Sequence, residues 1–264
     1  MQDVYITGAA RTPMGGFQGV FAGVDAPTLG GAAIKAAMDG AGVSTVDELL
    51  MGCVLPAGLG QAPARQAGFL AGLSDGVPAT TLNKMCGSGM KAAMMAFDRI
   101  ALGDADVMAA GGMESMTNAP YLMPKMRAGA RIGHQSVQDS MFLDGLEDAY
   151  DKGRLMGTFA EDCAERFQFT RQAQDDYALG SLSRALDAQQ AGAFAGEISP
   201  VSDVSADEQP GKARPEKIPT LRPAFREGGT VTAANSSSIS DGACLLYTSP
   251  SPRDQRGSRM PSSA

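Results

Sequence analysis

The 264 residues contain no tryptophan, a single histidine and only four cysteines. Cys53, Cys86, Cys163 and Cys244 form no Cys-x-x-Cys pair and no regular framework. That argues against a zinc site, and no other metal or bound cofactor is expected. It also argues against a disulfide scaffold. Positive charge is in deficit, with a formal net charge of −7. A nucleic-acid partner, which needs a basic stripe, is therefore set aside. An anionic ligand is not, because a local basic patch or a helix N-terminus is enough to hold one. No apolar run reaches the length of a membrane span, so no membrane partner is expected. Met1–Ile6 has neither the basic nor the apolar region of a signal peptide. The expectation is a cytoplasmic chain with reduced thiols.

Hydrophobic residues make up 44% and charged residues 19%, the balance of a folded chain rather than a disordered one. The 33 glycines and few aromatics suit an α/β fold whose helices pack closely on a sheet. Patterning predicts strands at Val4–Thr7, Leu49–Leu55, Ala79–Leu82 and Asp106–Ala110. It predicts helices at Ala26–Gly40, Pro63–Leu73 and Gly87–Ala101. Pro63 falls in a first turn, where a missing N–H costs little. This alternation implies a mostly parallel sheet with helices on both faces and a site at the carboxyl ends of the strands.

The character changes after Gly112. Residues 114–156 are rich in Met and broken by Pro120 and Pro124, so they read as loop with short helices. Thr158–Ala193 reads as strongly helical, with Thr170 as an N-cap. Residues 203–220 form a polar excursion, and Thr230–Ala234 reads as the return to the sheet. The last 21 residues, from Cys244, read as a Ser/Pro/Arg tail that resembles the translation of a sequencing-library adapter. The expectation is a foreign tail, set aside in the fold argument.

The sharpest local feature is Asn83-Lys84-Met85-Cys86-Gly87-Ser88-Gly89-Met90-Lys91-Ala92. A strand enters a tight turn and then a helix, with Cys86 at the turn. The positive end of the helix dipole favours a thiolate nucleophile there. Gly87 and Gly89 let backbone approach a substrate closely. Two other readings stay open at this level. Cys86 could be a small buried residue. Gly87-x-Gly89-x-x-Ala92 could be a dinucleotide loop, although Asp104 and Asp106 precede or open the next strand instead of following it.

Cys-Gly-Ser-Gly-Met-Lys-Ala after Asn-Lys-Met resembles the nucleophile segment of thiolases. Six further motifs match in order and spacing. They are Ala9–Pro13, Gly60–Gln66, Ala110–Met116, Leu155–Gly157, Leu221–Phe225 and Asn235–Gly242. The resemblance covers residues 4–243. It implies an α/β, thiolase-like layered fold, first half only, with an inserted mainly helical loop domain. Residues 1–117 would form the first core half, 118–230 the inserted loop domain that holds coenzyme A, and 231–243 the return to the core half. Residues 244–264 would be the tail.

The resemblance also implies chemistry. Cys86 would accept the acyl group of an acyl-CoA, and acetyl-CoA would then condense with it to a 3-ketoacyl-CoA. Leu146, Met156 and Ser237 match positions that contact coenzyme A, which is a substrate and not a cofactor. Their plainer readings are packing for the first two and a turn hydroxyl for Ser237. The full-length protein would be a homo-oligomer. His134, the only histidine, falls in the loop domain and is not expected to be catalytic. Arg11 and Arg65 read as structural or interface residues and not catalytic ones, and Cys53 and Cys163 as packing residues. The family's Asn-Glu-Ala-Phe and Gly-His-Pro segments and its second catalytic cysteine do not occur here. The expectation is a truncated and inactive chain. A lipid-binding relative, a related condensing enzyme and, more remotely, a nicotinamide-binding protein remain as alternatives.

Overall fold

The computed structural model describes residues 3–249. In chain order the elements are β1 (Tyr5–Arg11), β2 (Gly15–Gly16), α1 (Ala26–Ala41), β3 (Glu48–Gly52), α2 (Pro63–Leu70), β4 (Ala79–Leu82), α3 (Ser88–Leu102) and β5 (Met108–Ser115). Then come β6 (Tyr121–Leu122), β7 (Gln138–Asp139), α4 (Met156–Arg166), α5 (Arg171–Gln190), α6 (Glu208–Lys212) and β8 (Ser240–Ser249).

Asp25 caps α1 by accepting the Thr28 N–H, and Gly42 closes it in the left-handed region. Strand residues then sort by parity. Leu49, Met51 and Ala109 join the helix residues Leu29, Ile34 and Ala67 in one buried cluster. Leu50, Met108 and Ala110 join Ala92, Ala96 and Ile100 of α3 in another. Successive strand side chains point to opposite faces, so α1 and α2 cover one face of the sheet and α3 the other.

The sheet order is β1-β8-β5-β3-β4, with β2 also on β8. Among the described strands only β3 pairs in parallel, with β4 and β5, while β8 runs antiparallel to β1 and β5. The sheet is therefore mixed and not mostly parallel. The expected return at Thr230–Ala234 forms no strand, and the chain re-enters the sheet at Ser240. Gly111 and Gly112 lie within β5, where a Cβ at Gly111 would stand 2.2 Å from the Cys244 carbonyl oxygen. Only glycine lets β8 come that close.

The expected junction between 243 and 244 leaves no mark in the sheet. Residues 244–249 continue β8, and Leu245 is fully buried in the core. The remainder of the expected tail, 250–264, lies outside the described residues.

Between β5 and β8 lies the inserted region. The long helical stretch breaks into α4 and α5 at Phe167–Thr170, where Gln168 takes a positive φ. Thr170 caps α5 as expected, accepting the Ala173 N–H at 3.1 Å. A π-helix spans Met141–Leu146.

Candidate active site

Strand β4 ends at Leu82, and α3 begins at Ser88 after five intervening residues. Between them Met85 stands at φ 49°, a left-handed conformation that costs a non-glycine residue free energy and is held only when its surroundings fix it. Asn83 Oδ1 accepts the Met85 N–H at 2.9 Å. Ser88 Oγ accepts the Lys84 N–H at 2.9 Å and donates to the Met85 carbonyl at 2.6 Å. The Gly87 N–H donates to the Lys84 carbonyl at 3.1 Å. At this elbow Cys86 is exposed. It stands immediately before Gly87, the N-cap of α3.

The start of α3 sits close on the sheet because β3 ends in glycine. A Cβ at Gly52 would lie 2.5 Å from Ser88 Cβ. One at Gly112 would sit 3.6 Å from Gly89 Cα, an ordinary contact. Cys86 is exposed at the N-terminus of a helix fixed in this way, where the helix dipole favours an anion. Cys53, by contrast, is buried. Its burial, and then the charge of Glu114, push the thiol up to about 12. Cys163 is exposed on α4, which corrects its expected packing role. Its neighbour Ala164 takes the buried position instead.

The motifs that are far apart in sequence meet in space. Thr12 is buried and pairs with Ala243 in both directions, donating its N–H at 2.9 Å and accepting at Oγ1 at 3.0 Å. Asp241 is buried and accepts from the Thr117 N–H and hydroxyl. The ring of Phe225 lies against Gly157, where a Cβ would meet it at 2.3 Å. The Arg11 guanidinium reaches Glu197 and Asp207, and Arg65 donates to the Val77 and Asp75 carbonyls. Both arginines act structurally, as expected.

The three expected ligand contacts separate into two places. Leu146 and Met156 flank a backbone bridge between Glu147 and Leu155, so the π-helix end and the start of α4 are neighbours. Ser237 is exposed and lines a cavity of about 870 Å³ with Tyr177, Asp207, Arg214 and Lys217. Leu146, Met156 and Cys86 do not line that cavity. His134 is exposed in the loop before β7, beside Lys125 and Gln138. Sequence reasoning missed the positive φ at Met85 and the carboxylate of Glu114 behind the elbow. Asn83, three residues before the cysteine, carried the only hint of the first, since Asn side chains stabilise such turns.

The profile of the thiolase N-terminal domain matches residues 4–249. The chain belongs to the thiolase family. It is 52% identical over 259 residues to acetyl-CoA acetyltransferase 2 of Arabidopsis thaliana, an alignment that spans 93% of this chain and 64% of that protein. With acetyl-CoA acetyltransferase of Pseudomonas aeruginosa the identity is 47%, across 93% of this chain and 65% of the relative. The chain thus spans just under two thirds of these relatives. The fold is similar to that of the Acat5 thiolase from Ascaris suum, solved in complex with coenzyme A. The TM-score is 0.92 at 37% identity, and the match covers 97% of this chain and 68% of that one.

Proposed function

We propose that this chain is the nucleophile-bearing part of an acetyl-CoA acetyltransferase and that Cys86 is its acyl acceptor. The observation that carries the proposal is the exposed Cys86 on a hydrogen-bonded elbow at the start of α3. In the reaction, the Cys86 thiolate attacks the carbonyl carbon of an acyl-CoA. The bond from carbon to the coenzyme A sulfur breaks, coenzyme A leaves as the thiolate, and the acyl group stays on Cys86. Acetyl-CoA then loses an α-proton to a base, and its α-carbon attacks the acyl carbon. Cys86 departs and a 3-ketoacyl-CoA forms. The degradative direction reverses these steps.

Leu146 and Met156 would border the pantetheine, and Ser237 would border the nucleotide end in the large cavity, beside Arg214 and Lys217. The base and the proton acceptor would come from a second half. Its Asn-Glu-Ala-Phe and Gly-His-Pro segments are not among these 264 residues. The exposed row Met90, Met94 and Phe97 on α3 would be covered by that half.

Two measurements test the proposal. Iodoacetamide should label Cys86 well ahead of Cys163, which is a fair control because both are exposed. Equal labelling overturns the nucleophile. Supplied with acetoacetyl-CoA and coenzyme A, the chain alone should show no thiolytic turnover, and measurable turnover overturns the division of labour.

A further inference from the structure

Glu114 stands at the end of β5, where its side chain crosses behind the end of β3. Its carboxylate accepts the N–H of Val54 at 2.8 Å and that of Leu55 at 2.9 Å, with the Cys53 thiol donating at 3.6 Å. Among the described residues these donors, and not a cation, hold the group. Burial raises the Glu114 carboxyl above its ordinary range, opposed by the two N–H bonds. A partly buried carboxylate that no described cation pairs with is costly to keep, and its hydrogen bonds to the turn offset that cost.

The clamped turn touches the nucleophile elbow at two points. The Cys53 N–H donates to the Leu82 carbonyl at 3.0 Å, and Asn83 Nδ2 donates to the Val54 carbonyl at 3.4 Å. Asn83 is the same residue whose Oδ1 holds Met85 at its positive φ. On the other side, Leu55 lies against Gly145 of the π-helix, where a Cβ would meet it at 3.5 Å.

We infer that Glu114 is a positioning residue for Cys86: its carboxylate fixes the 53–55 turn, and the turn fixes the elbow through Leu82 and Asn83. The inference rests on Cys86 being the nucleophile. Among the described residues Glu114 makes no hydrogen bond to Cys86, so it acts through the turn. Gln at 114 keeps the shape, but its amide nitrogen then faces one of the two N–H donors.

The experiment measures iodoacetamide alkylation of Cys86 in the 264-residue chain, with Cys163 of the same molecule as internal control. Glu114→Gln and Asn83→Ala should each slow Cys86 by about tenfold, the worth of one hydrogen bond to a charged or strained group, and leave Cys163 unchanged. Because both act along one chain of contacts, the double variant should be little slower than either single one. If Glu114→Gln does not fold, Glu114→Asp replaces it, since the shorter carboxylate cannot hold both N–H groups. An unchanged Cys86 rate in a folded variant, or single effects that multiply in the double variant, overturns the inference. If the unaltered chain shows Cys86 no faster than Cys163, the nucleophile itself fails and the inference falls with it.

Discussion

Two long helices of this molecule are held in opposite ways. α1 buries Leu29, Ala33, Ile34, Ala37 and Met38 along one face, against the sheet and α2. α5 is longer, yet the one residue it buries is Asp175. That carboxylate receives Arg171 Nε at 2.7 Å and Asn235 Nδ2 at 3.0 Å. The contrast extends to the regions around them. The core is held by apolar area, which is non-directional and scales with the surface removed from water. The inserted region is held by carboxylates that clasp backbone far along the chain. Glu161, 3% exposed, accepts the N–H groups of Thr230 and Val231 near 3.0 Å. Asp207 and Glu208 fasten the same region to the core through Arg11, Met14, Gly16 and Val20. A core of the first kind tolerates reshuffling among apolar residues, whereas a clasp depends on a single oxygen being in place.

The sharpest way to break this comparison lies in β8. Leu245 is fully buried on β8 between the core strands β1 and β5, in the segment after residue 243. Leu245→Ala should cost about 2–5 kcal/mol, the usual range for a buried leucine whose cavity does not collapse. Chemical denaturation checks this. A loss under about 0.5 kcal/mol, typical of an exposed site, would mean that 244–249 do not belong to the core. A smaller effect should follow from Glu161→Gln. One N–H of the Thr230–Val231 segment then faces an amide N–H₂, at a cost of about 1–3 kcal/mol for an unsatisfied buried donor. Hydrogen exchange should speed at 230 and 231 and stay unchanged in α1 and α3. Equal acceleration in α1 would show that the two regions are not held separately.

The difference between area and clasp also explains what the sequence could show. α1 was legible to within one residue because its apolar spacing is what buries it. β4 was legible in full. The Cys86 turn was legible because strand, glycine and helix start are local signals. The inserted region was not, because Glu161 meets Thr230 and Asp175 meets Asn235 across 60 residues or more, and a charged residue at helical spacing reads as surface. The antiparallel place of β8 was hidden for a related reason. Its position between β1 and β5 is a fact of long-range pairing, and a short Leu-Leu-Tyr-Thr run looks the same at an edge, in the centre or in a tail. Glu114 was quoted within a motif, but its reach back to Val54 depends on β3 and β5 lying side by side.

Acid should separate the two regions more gently than either substitution. The Glu208 carboxyl is held at about 2, first by its hydrogen bond from Lys212, against burial, and then by the N–H groups of Gly16 and Val20. Asp207 is also held low: burial alone would raise it, and Arg11 and the Met14 N–H outweigh that. For a depressed carboxyl the stabilisation is present above the unfolded value and is lost as pH falls through the folded one. For Glu208 the window runs from the ordinary 4.5 down to about 2. The core carboxyl has the opposite sign. Glu114 is raised by burial, so acid removes nothing that it contributes. The Lys212 partner is exposed, so its share of the loss is small, and the backbone clasps carry most of it. As pH falls through this window, protease sites should open first in residues 118–230 while the helical signal of the core persists. Loss of both regions in one step would show that the clasps do not control the docking.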